Sequence, residues 1–151
     1  MALSRDFQDL LALFASHGVR FVVVGGYAVA AHGHPRYTKD LDLWLEVSPD
    51  NADRVVAALE EFGFGSLGLT RDDFTEPGIV VQLGREPVRV DLLTSISGLE
   101  FADCYPARVT STFGNTSVPV LDRASLIRNK LASGRPQDLA DAAKLVKGSS
   151  E

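Results

Sequence analysis

The sequence contains little cysteine and no long apolar run. Its 151 residues include one cysteine, Cys104, which excludes an intrachain disulfide and a zinc site built from several cysteines. We expect Cys104 to be structural. The longest apolar stretch, residues 21–31, is interrupted by two glycines and is too short to cross a bilayer. The opening residues, MALSRDFQ, lack the basic and apolar regions of a secretory signal, so we expect a cytoplasmic protein with no membrane partner.

Basic charge is also scarce, because 15 lysines and arginines face 20 aspartates and glutamates and leave a formal net charge of −5. This balance argues against broad, sequence-independent binding of nucleic acid, which needs a basic face. One local exception exists, opposed only by Asp122 at its edge. Its four members are Arg123, Arg128, Lys130 and Arg135. This patch keeps open the hypothesis of a nucleic-acid-binding module, whose binding would depend steeply on salt.

Helical and strand patterns alternate along the chain. Apolar spacing and capping residues predict helices at 4–17, 27–32, 48–62, 122–133 and 136–147. Ser48 and Asp122 are the expected caps of the third and fourth of these helices. Strands are predicted at 20–24, 39–47, 78–84 and 87–94, followed by a hairpin over 107–120. We therefore predict one domain with a helix over 1–18, a sheet core over 20–120, a helical end over 122–147 and a frayed tail over 148–151.

Two glycine-rich segments could bind phosphate. The first follows a buried strand, where Gly25 and Gly26 come directly before a helix. Glycine lets the backbone approach a ligand, and the free N–H groups of a helix N-terminus suit an anion. A plain strand-to-helix turn is the alternative. The second segment, GFGSLG at 63–68, matches a dinucleotide fingerprint, but it follows a helix and not a strand. We interpret it as a loop.

Three aspartates stand on predicted strands, where aspartate is rare. Asp40 and Asp42 are two residues apart in DLDLWL, so both point to the same face, and Asp91 follows VRV in a later strand. A solvated strand face is the alternative. If the two strands are neighbours, the three carboxylates converge and could bind Mg²⁺, which takes oxygen ligands and leaves room for phosphates.

The order and spacing of these groups resemble a known family. Val24, Gly25 and Gly26, followed after thirteen residues by DLDL, are similar to the pattern of nucleotidyltransferases of the DNA polymerase β superfamily. The segments GGYAVAAHGHPRYTKDLDLWLE and LIRNKLASGRPQDLADAAKL further resemble small bacterial nucleotidyltransferases related to AbiE-type toxins. The likeness covers about residues 20–146, although the middle, 60–85, has no counterpart in it.

The resemblance implies a fold, a reaction and a cofactor. The fold would be α+β, a mixed β-sheet with helices packed on one side and two C-terminal helices. Gly25 and Gly26 would hold a nucleoside triphosphate. Asp40, Asp42 and Asp91 would bind one or two Mg²⁺ ions, and Asp91 would also help to activate an attacking hydroxyl. The reaction would transfer a nucleoside monophosphate and release pyrophosphate.

Further residues are candidates for nucleotide binding. Lys130 lies in a predicted helix and could contact phosphate, although it could also be a surface lysine lying over apolar neighbours. Arg135 stands between two helices, where its guanidinium could grip phosphate bidentately. Arg36 and Thr38 precede the carboxylates. Arg36 suits a substrate phosphate or Asp40 as its partner, and Thr38 could equally be an ordinary strand residue.

The roles of two further polar residues stay open at this level. Asp138 could simply favour the N-terminal half of its helix, or it could orient Lys130 or Arg135. His32 follows a short helix, where histidine suits the negative end of the helix dipole, so we interpret it as structural.

Two hypotheses of function follow. The leading one is a Mg²⁺-dependent nucleotidyltransferase whose acceptor is a tRNA end, a protein hydroxyl or a small hydroxylated molecule such as an aminoglycoside. The alternative is a non-catalytic module of the same fold that binds a nucleotide or a partner in a toxin–antitoxin pair.

Overall fold

Six strands form one mixed sheet in the computed structural model, which describes residues 4–35, 38–85 and 88–149. The strands run in the spatial order β3-β4-β2-β1-β6-β5. Two neighbouring pairs are parallel, β2 with β4 and β1 with β6, and the other three pairs are antiparallel. The bounds are β1 (Phe21–Val24), β2 (Asp40–Leu45), β3 (Val80–Arg85), β4 (Val88–Leu93), β5 (Val109–Phe113) and β6 (Thr116–Val120).

The predicted helices are present, and the expected capping residues begin two of them. Ser48 Oγ accepts a hydrogen bond from the backbone N–H of Asn51, and Asp122 Oδ2 accepts one from the backbone N–H of Ser125, both at 3.2 Å. Gly134 ends α5 with a φ of +69°, a conformation that favours glycine. The bounds are α1 (Arg5–Ser16), α2 (Gly25–Ala31), α3 (Pro49–Leu59), α4 (Phe101–Cys104), α5 (Arg123–Ser133) and α6 (Pro136–Ser149).

The predicted α+β class is therefore confirmed, with differences in detail. The sequence pattern did not indicate α4, a single turn that contains the buried Cys104. Residues 60–64 form a π-helical turn after α3, and residues 71–74 form a single turn of 3₁₀ helix. Helix α6 extends to Ser149, and residues 150–151 lie outside the described part of the chain.

One face of the sheet is apolar and packs against the first helix. Phe21 of β1 pairs with Leu45 of β2, and the ring of Phe21 lies 5.5 Å from that of Phe14 in α1. Because residues two apart share a face, every second residue of β2 and β4 joins this layer. Burying a side chain of this size contributes roughly 1.5–3 kcal/mol, so this layer supplies much of the stability. Its fully buried members include Leu41, Leu43 and Leu92.

The opposite face carries the aspartates. Asp40, Asp42 and Trp44 alternate with the leucines of β2, and Trp44 is 2% exposed beneath α4, where its ring lies 5.2 Å from that of Phe101. The carboxylates therefore occupy the end of this face that α4 leaves uncovered.

A buried asparagine ties the end of β2 to the start of β1. Asn51, at the beginning of α3, accepts a hydrogen bond from the backbone N–H of Arg20 at 2.7 Å. Its amide nitrogen donates to the carbonyls of Arg20 and Glu46 at 3.0 and 2.9 Å. These contacts hold the register of the two strands, which places Val24 opposite Asp42. Within the described residues, no helix is both long and apolar enough to span a membrane.

Candidate active site

The parallel pairing of β2 with β4 brings the predicted carboxylates together. Asp42 lies opposite Asp91, and Asp40 lies opposite Arg89, two residues earlier on both strands. Since residues two apart on a strand share a face, all four side chains project from the same side of the sheet. The two predicted strands are therefore neighbours, and the predicted convergence of the carboxylates is present.

The turn after β1 lies directly against the side chain of Asp42. Val24 pairs with Asp42, and α2 begins at the next residue, Gly25. Gly25 has a φ of +69°, and a Cβ atom built on it would overlap Asp42 Oδ2. Any other residue here would be strained in its backbone and would displace the carboxylate. Glycine is required because the chain passes so close to Asp42.

The carboxylates raise one another's pKa. Burial raises the pKa of Asp42 to about 7, and the charge of Asp91, a hydrogen bond with Asp91 and the charge of Asp40 add to this effect, whereas Lys130 opposes it. Burial and the charge of Asp40 also raise the pKa of Asp91, against the effect of Arg89. The carboxyl group of Asp42 thus donates to the carboxylate of Asp91. Without a cation, the pair holds a proton between two groups that would otherwise repel each other.

Arg89 was not among the predicted site residues. Its Nη2 donates to Asp40 Oδ2 at 2.7 Å, and the two side chains are 33% and 25% exposed. Arg89 precedes Asp91 by two residues, just as Asp40 precedes Asp42. That matched spacing is the signal in the sequence that could have indicated it, given a parallel pairing of the two strands.

Three buried carboxylate oxygens have no hydrogen-bond partner within the described ranges. Two of them, Asp40 Oδ1 and Asp91 Oδ1, belong to this site, and the third is Asp122 Oδ1 at the start of α5. Buried polar atoms normally have a partner, so unsatisfied acceptors point to a donor or cation that binds there. The described residues hold no ready-made group of three His, Cys, Asp or Glu side chains around an ion position. Arg89 engages Asp40, and Asp42 is bonded to Asp91. The oxygen donors themselves fit Mg²⁺, which binds through a few carboxylates and keeps positions for phosphate and water.

The two C-terminal helices bring a buried lysine to this site. Lys130 of α5 is 4% exposed, and its Nζ donates to Asp138 Oδ1 at 2.8 Å and lies 3.2 Å from Asp141 Oδ2. The alternative interpretation of Lys130 as a surface lysine is wrong, because α6 covers it with two carboxylates. Burial would raise the pKa of Asp138, but hydrogen bonds from Lys130, Ser133 and Arg135 outweigh burial and lower it to about 2.

Arg135 combines a fixed position with an exposed head group. Its Nε donates to Asp138 Oδ2 at 2.7 Å, while 77% of its side chain is exposed. Asp138 therefore contacts both Lys130 and Arg135, which agrees with its predicted role in orienting them. Asp141 and Ser133 complete this cluster, although the sequence analysis did not assign them to it.

A cavity of about 430 Å³ connects Asp40 and Asp42 with Lys130 and Arg135, and Asp91 is not among the residues that line it. It lies between the turn after β1, the start of β2 and the junction of α5 with α6. Thr38 lines it and donates to the backbone carbonyl of Asp40 at 3.4 Å, whereas Arg36 lies outside the described residues. A larger cavity of about 640 Å³ lies on the α1 side and includes none of the predicted site residues. The residues that line the smaller cavity are Gly25, Gly26, Thr38, Lys39, Asp40, Asp42, Lys130, Arg135, Gln137 and Asp138.

His32 and Arg123 contact backbone carbonyls. His32 Nε2 donates to the carbonyl of Leu121 at 2.8 Å, and Arg123 Nη2 donates to the carbonyl of His32 at 3.4 Å. The predicted basic patch is therefore not one continuous surface, because Lys130 is buried and Arg123 binds backbone. Residues 63–68 lie in turns that follow α3, which is not the strand-to-helix setting of a dinucleotide fingerprint.

Comparison with known families agrees with this geometry. Residues 3–132 match the family described as a nucleotidyl transferase of unknown function (DUF2204). The chain belongs to this family. Membership of this family supports the prediction that the protein is a nucleotidyltransferase. It does not show the predicted likeness to AbiE-type toxins. A comparison with curated proteins gives no significant match.

Solved structures of nucleotidyltransferases share the fold along most of their length. A candidate nucleotidyltransferase from Thermotoga maritima has a TM-score of 0.61 at 13% identity, with 95% of this chain and 91% of that chain covered. The lincosamide antibiotic adenylyltransferase LnuA, bound to lincomycin, has a TM-score of 0.56 at 12% identity, with 95% and 96% covered. ANT(2")-Ia in complex with adenylyl-2"-tobramycin has a TM-score of 0.59 at 15% identity, with 96% and 87% covered. At these identities the similarity establishes the fold.

Proposed function

We propose that this protein is a Mg²⁺-dependent nucleotidyltransferase that transfers a nucleoside monophosphate from a nucleoside triphosphate to a hydroxyl acceptor. The observation that carries the proposal is the cross-strand pair of Asp42 and Asp91, against which the Gly25 turn is packed. Family membership supports the reaction class.

Asp40, Asp42 and Asp91 are the proposed ligands of one or two Mg²⁺ ions. Bound Mg²⁺ would supply charge neutralisation at the phosphates and stabilise the attacking and leaving oxygens. Asp40 Oδ1 and Asp91 Oδ1, which have no partner within the described ranges, support this assignment, and so does the raised pKa of Asp42. Asp91 is also proposed to help to activate the attacking hydroxyl, which is the role that the resemblance implies for it.

The triphosphate is proposed to lie in the 430 Å³ cavity. There the backbone at Gly25 and Gly26 would approach it closely, and Thr38 would offer a hydroxyl donor. Lys130 is held by two carboxylates and has a third N–H to donate, whereas Arg135 has an exposed guanidinium. Arg36 keeps its place as a candidate phosphate ligand, because it precedes these elements in the sequence.

A small hydroxylated molecule is the favoured acceptor class. Two neighbours in fold are an adenylyltransferase bound to lincomycin and an enzyme bound to an adenylylated tobramycin. Both cases support a small molecule over a tRNA end or a protein hydroxyl. The likeness to AbiE-type toxins, a toxin–antitoxin partner and a cytoplasmic location stay predictions.

Calorimetry with ATP, CTP, GTP and UTP, with and without Mg²⁺, tests the proposal. We expect at least one nucleotide to bind in a Mg²⁺-dependent manner. Replacement of Asp40 and Asp42 together by Asn should abolish this binding without unfolding the protein. Asp53→Asn is the matched control, because Asp53 is an exposed partner of Arg71 outside the cavity.

The outcomes separate the two hypotheses of function. Absence of binding by all four nucleotides to a folded sample would refute the proposal. Binding without transfer to any acceptor, together with a co-purifying partner, would favour the non-catalytic module.

A further inference from the structure

Arg89 places a fixed positive charge among the candidate metal ligands. In the parallel register, Arg89 stands opposite Asp40 in the same way that Asp91 stands opposite Asp42. Each aspartate of β2 therefore has a different neighbour on β4, a guanidinium in one case and a second carboxylate in the other. The Asp40–Arg89 pair is therefore balanced in charge, whereas the Asp42–Asp91 pair has no positive partner across the strands.

Arg89 holds only one of the two oxygens of Asp40. Its Nη2 lies 2.7 Å from Asp40 Oδ2, whereas Asp40 Oδ1 is buried and has no hydrogen-bond partner in the described part of the chain. Asp91 Oδ1 is likewise buried and has no hydrogen-bond partner among the described residues. A carboxylate fixed by one oxygen keeps the other available for a cation, which is how neighbouring hydrogen bonds commonly orient metal ligands.

The charges of the site support a single divalent ion. When a bound cation displaces the proton shared by Asp42 and Asp91, the three carboxylates contribute three negative charges and Arg89 contributes one positive charge. One divalent cation would balance the remaining two. The neighbouring cluster of Lys130, Arg135, Asp138 and Asp141 does not change this count, because its two positive and two negative charges balance. A second divalent cation would leave an excess of positive charge in a partly buried site, which is unfavourable where water screens poorly.

We propose that Arg89 is a positioning residue that takes the place of a second metal ion, so that the protein binds one divalent cation per chain in the absence of nucleotide. The inference rests on the proposed function, because Asp40, Asp42 and Asp91 must be the metal ligands. It adds the number of ions bound without nucleotide and a residue whose charge opposes the binding of more.

Titration with Mn²⁺, followed by the electron paramagnetic resonance signal of the free ion, counts the bound ions without any turnover. We expect the unchanged protein to bind one Mn²⁺ per chain. Arg89→Gln keeps a hydrogen-bond donor for Asp40 but removes the charge, so it should bind Mn²⁺ at least tenfold more tightly. Arg89→Lys keeps the charge and should bind like the unchanged protein.

Arg71→Gln is the control, because it removes an exposed arginine whose partner, Asp53, lies outside the cavity. It should leave Mn²⁺ binding unchanged. Circular dichroism shows whether each variant folds. The number of Mn²⁺ ions bound by the unchanged protein tests the inference even if Arg89→Gln fails to fold.

Two ions bound to the unchanged protein, or equal affinities in the unchanged protein and Arg89→Gln, would overturn the inference and leave the proposed function standing. No bound ion at all would also overturn the inference, and Mg²⁺-dependent nucleotide binding would then decide separately whether the proposed function stands.

Discussion

Replacement of Gly25 by alanine tests how the backbone controls the position of Asp42. Gly25 has a φ of +69°, and an added Cβ would overlap Asp42 Oδ2. Alanine therefore meets two separate penalties, one from its backbone conformation and one from the contact. Gly18 allows the two to be separated, because it also has a φ of +69° and a Cβ built on it meets nothing within 4 Å.

The magnitudes follow from these two penalties. The left-handed conformation costs a residue other than glycine roughly 1–2 kcal/mol, so Gly18→Ala should lose about that amount of the free energy of unfolding. Gly25→Ala should lose about 2–4 kcal/mol, because crowding adds a similar penalty. For a chain of this length each kcal/mol lowers Tm by about 2–4 °C. The atom that the new Cβ would overlap is Asp42 Oδ2, and the Asp42 side chain can rotate away. The substitution should therefore affect ion binding at the site more than it affects stability. We expect divalent-ion affinity to fall at least tenfold in Gly25→Ala and to stay unchanged in Gly18→Ala.

Urea denaturation measures the loss of stability, and Mn²⁺ titration measures the site. Gly25→Ala combined with Asp42→Ala completes a double-mutant cycle, in which removal of the carboxylate should recover the part of the loss that is due to crowding. The reasoning is refuted if Gly25→Ala binds the ion as well as Gly18→Ala does. It is also refuted if the cycle shows no coupling between positions 25 and 42.

Two further predictions concern charge. The pKa of Asp42 is raised from 3.8 to about 7 in the folded protein, so the metal-free protein should lose stability as pH rises through that range. Asp42→Asn should remove this loss, and urea denaturation at several pH values without metal would contradict the idea if the two proteins behaved alike. The pKa of Asp138 is lowered to about 2, so its contribution is present above 3.8 and disappears as pH falls towards 2. Asp138→Asn should cost about 3 kcal/mol at neutral pH, because it breaks a buried ion pair with Lys130; a loss below about 1 kcal/mol would contradict this.

Local patterns in the sequence were reliable where the cause was local. Ser48 and Asp122 begin their helices because a side-chain oxygen next to a helix start accepts a backbone N–H of its own first turn. Leu41, Leu43 and Leu45 are buried because alternate residues of a strand share a face.

Residues whose role depends on a distant partner were harder to interpret. Lys130 could be either a surface residue or a site residue until α6 was seen to cover it with Asp138 and Asp141. Arg89 was not predicted, because the spacing that it shares with Asp40 gains a meaning only when β2 and β4 are known to pair in parallel. The residues next to Lys130 or Arg89 in the sequence do not indicate which distant side chain each one will contact.

The sequence by itself determined most of the helices and strands and the order of the candidate glycines and aspartates, since helix caps, strand alternation and residue order are local properties of the chain. Only the tertiary structure decided that β2 and β4 pair in parallel with Asp42 opposite Asp91 and Asp40 opposite Arg89. A shift of this pairing by one residue would turn one strand's side chains to the other face. The register is held by the packing of the whole sheet, and for that reason the charge balance of the site could not be deduced from either strand alone.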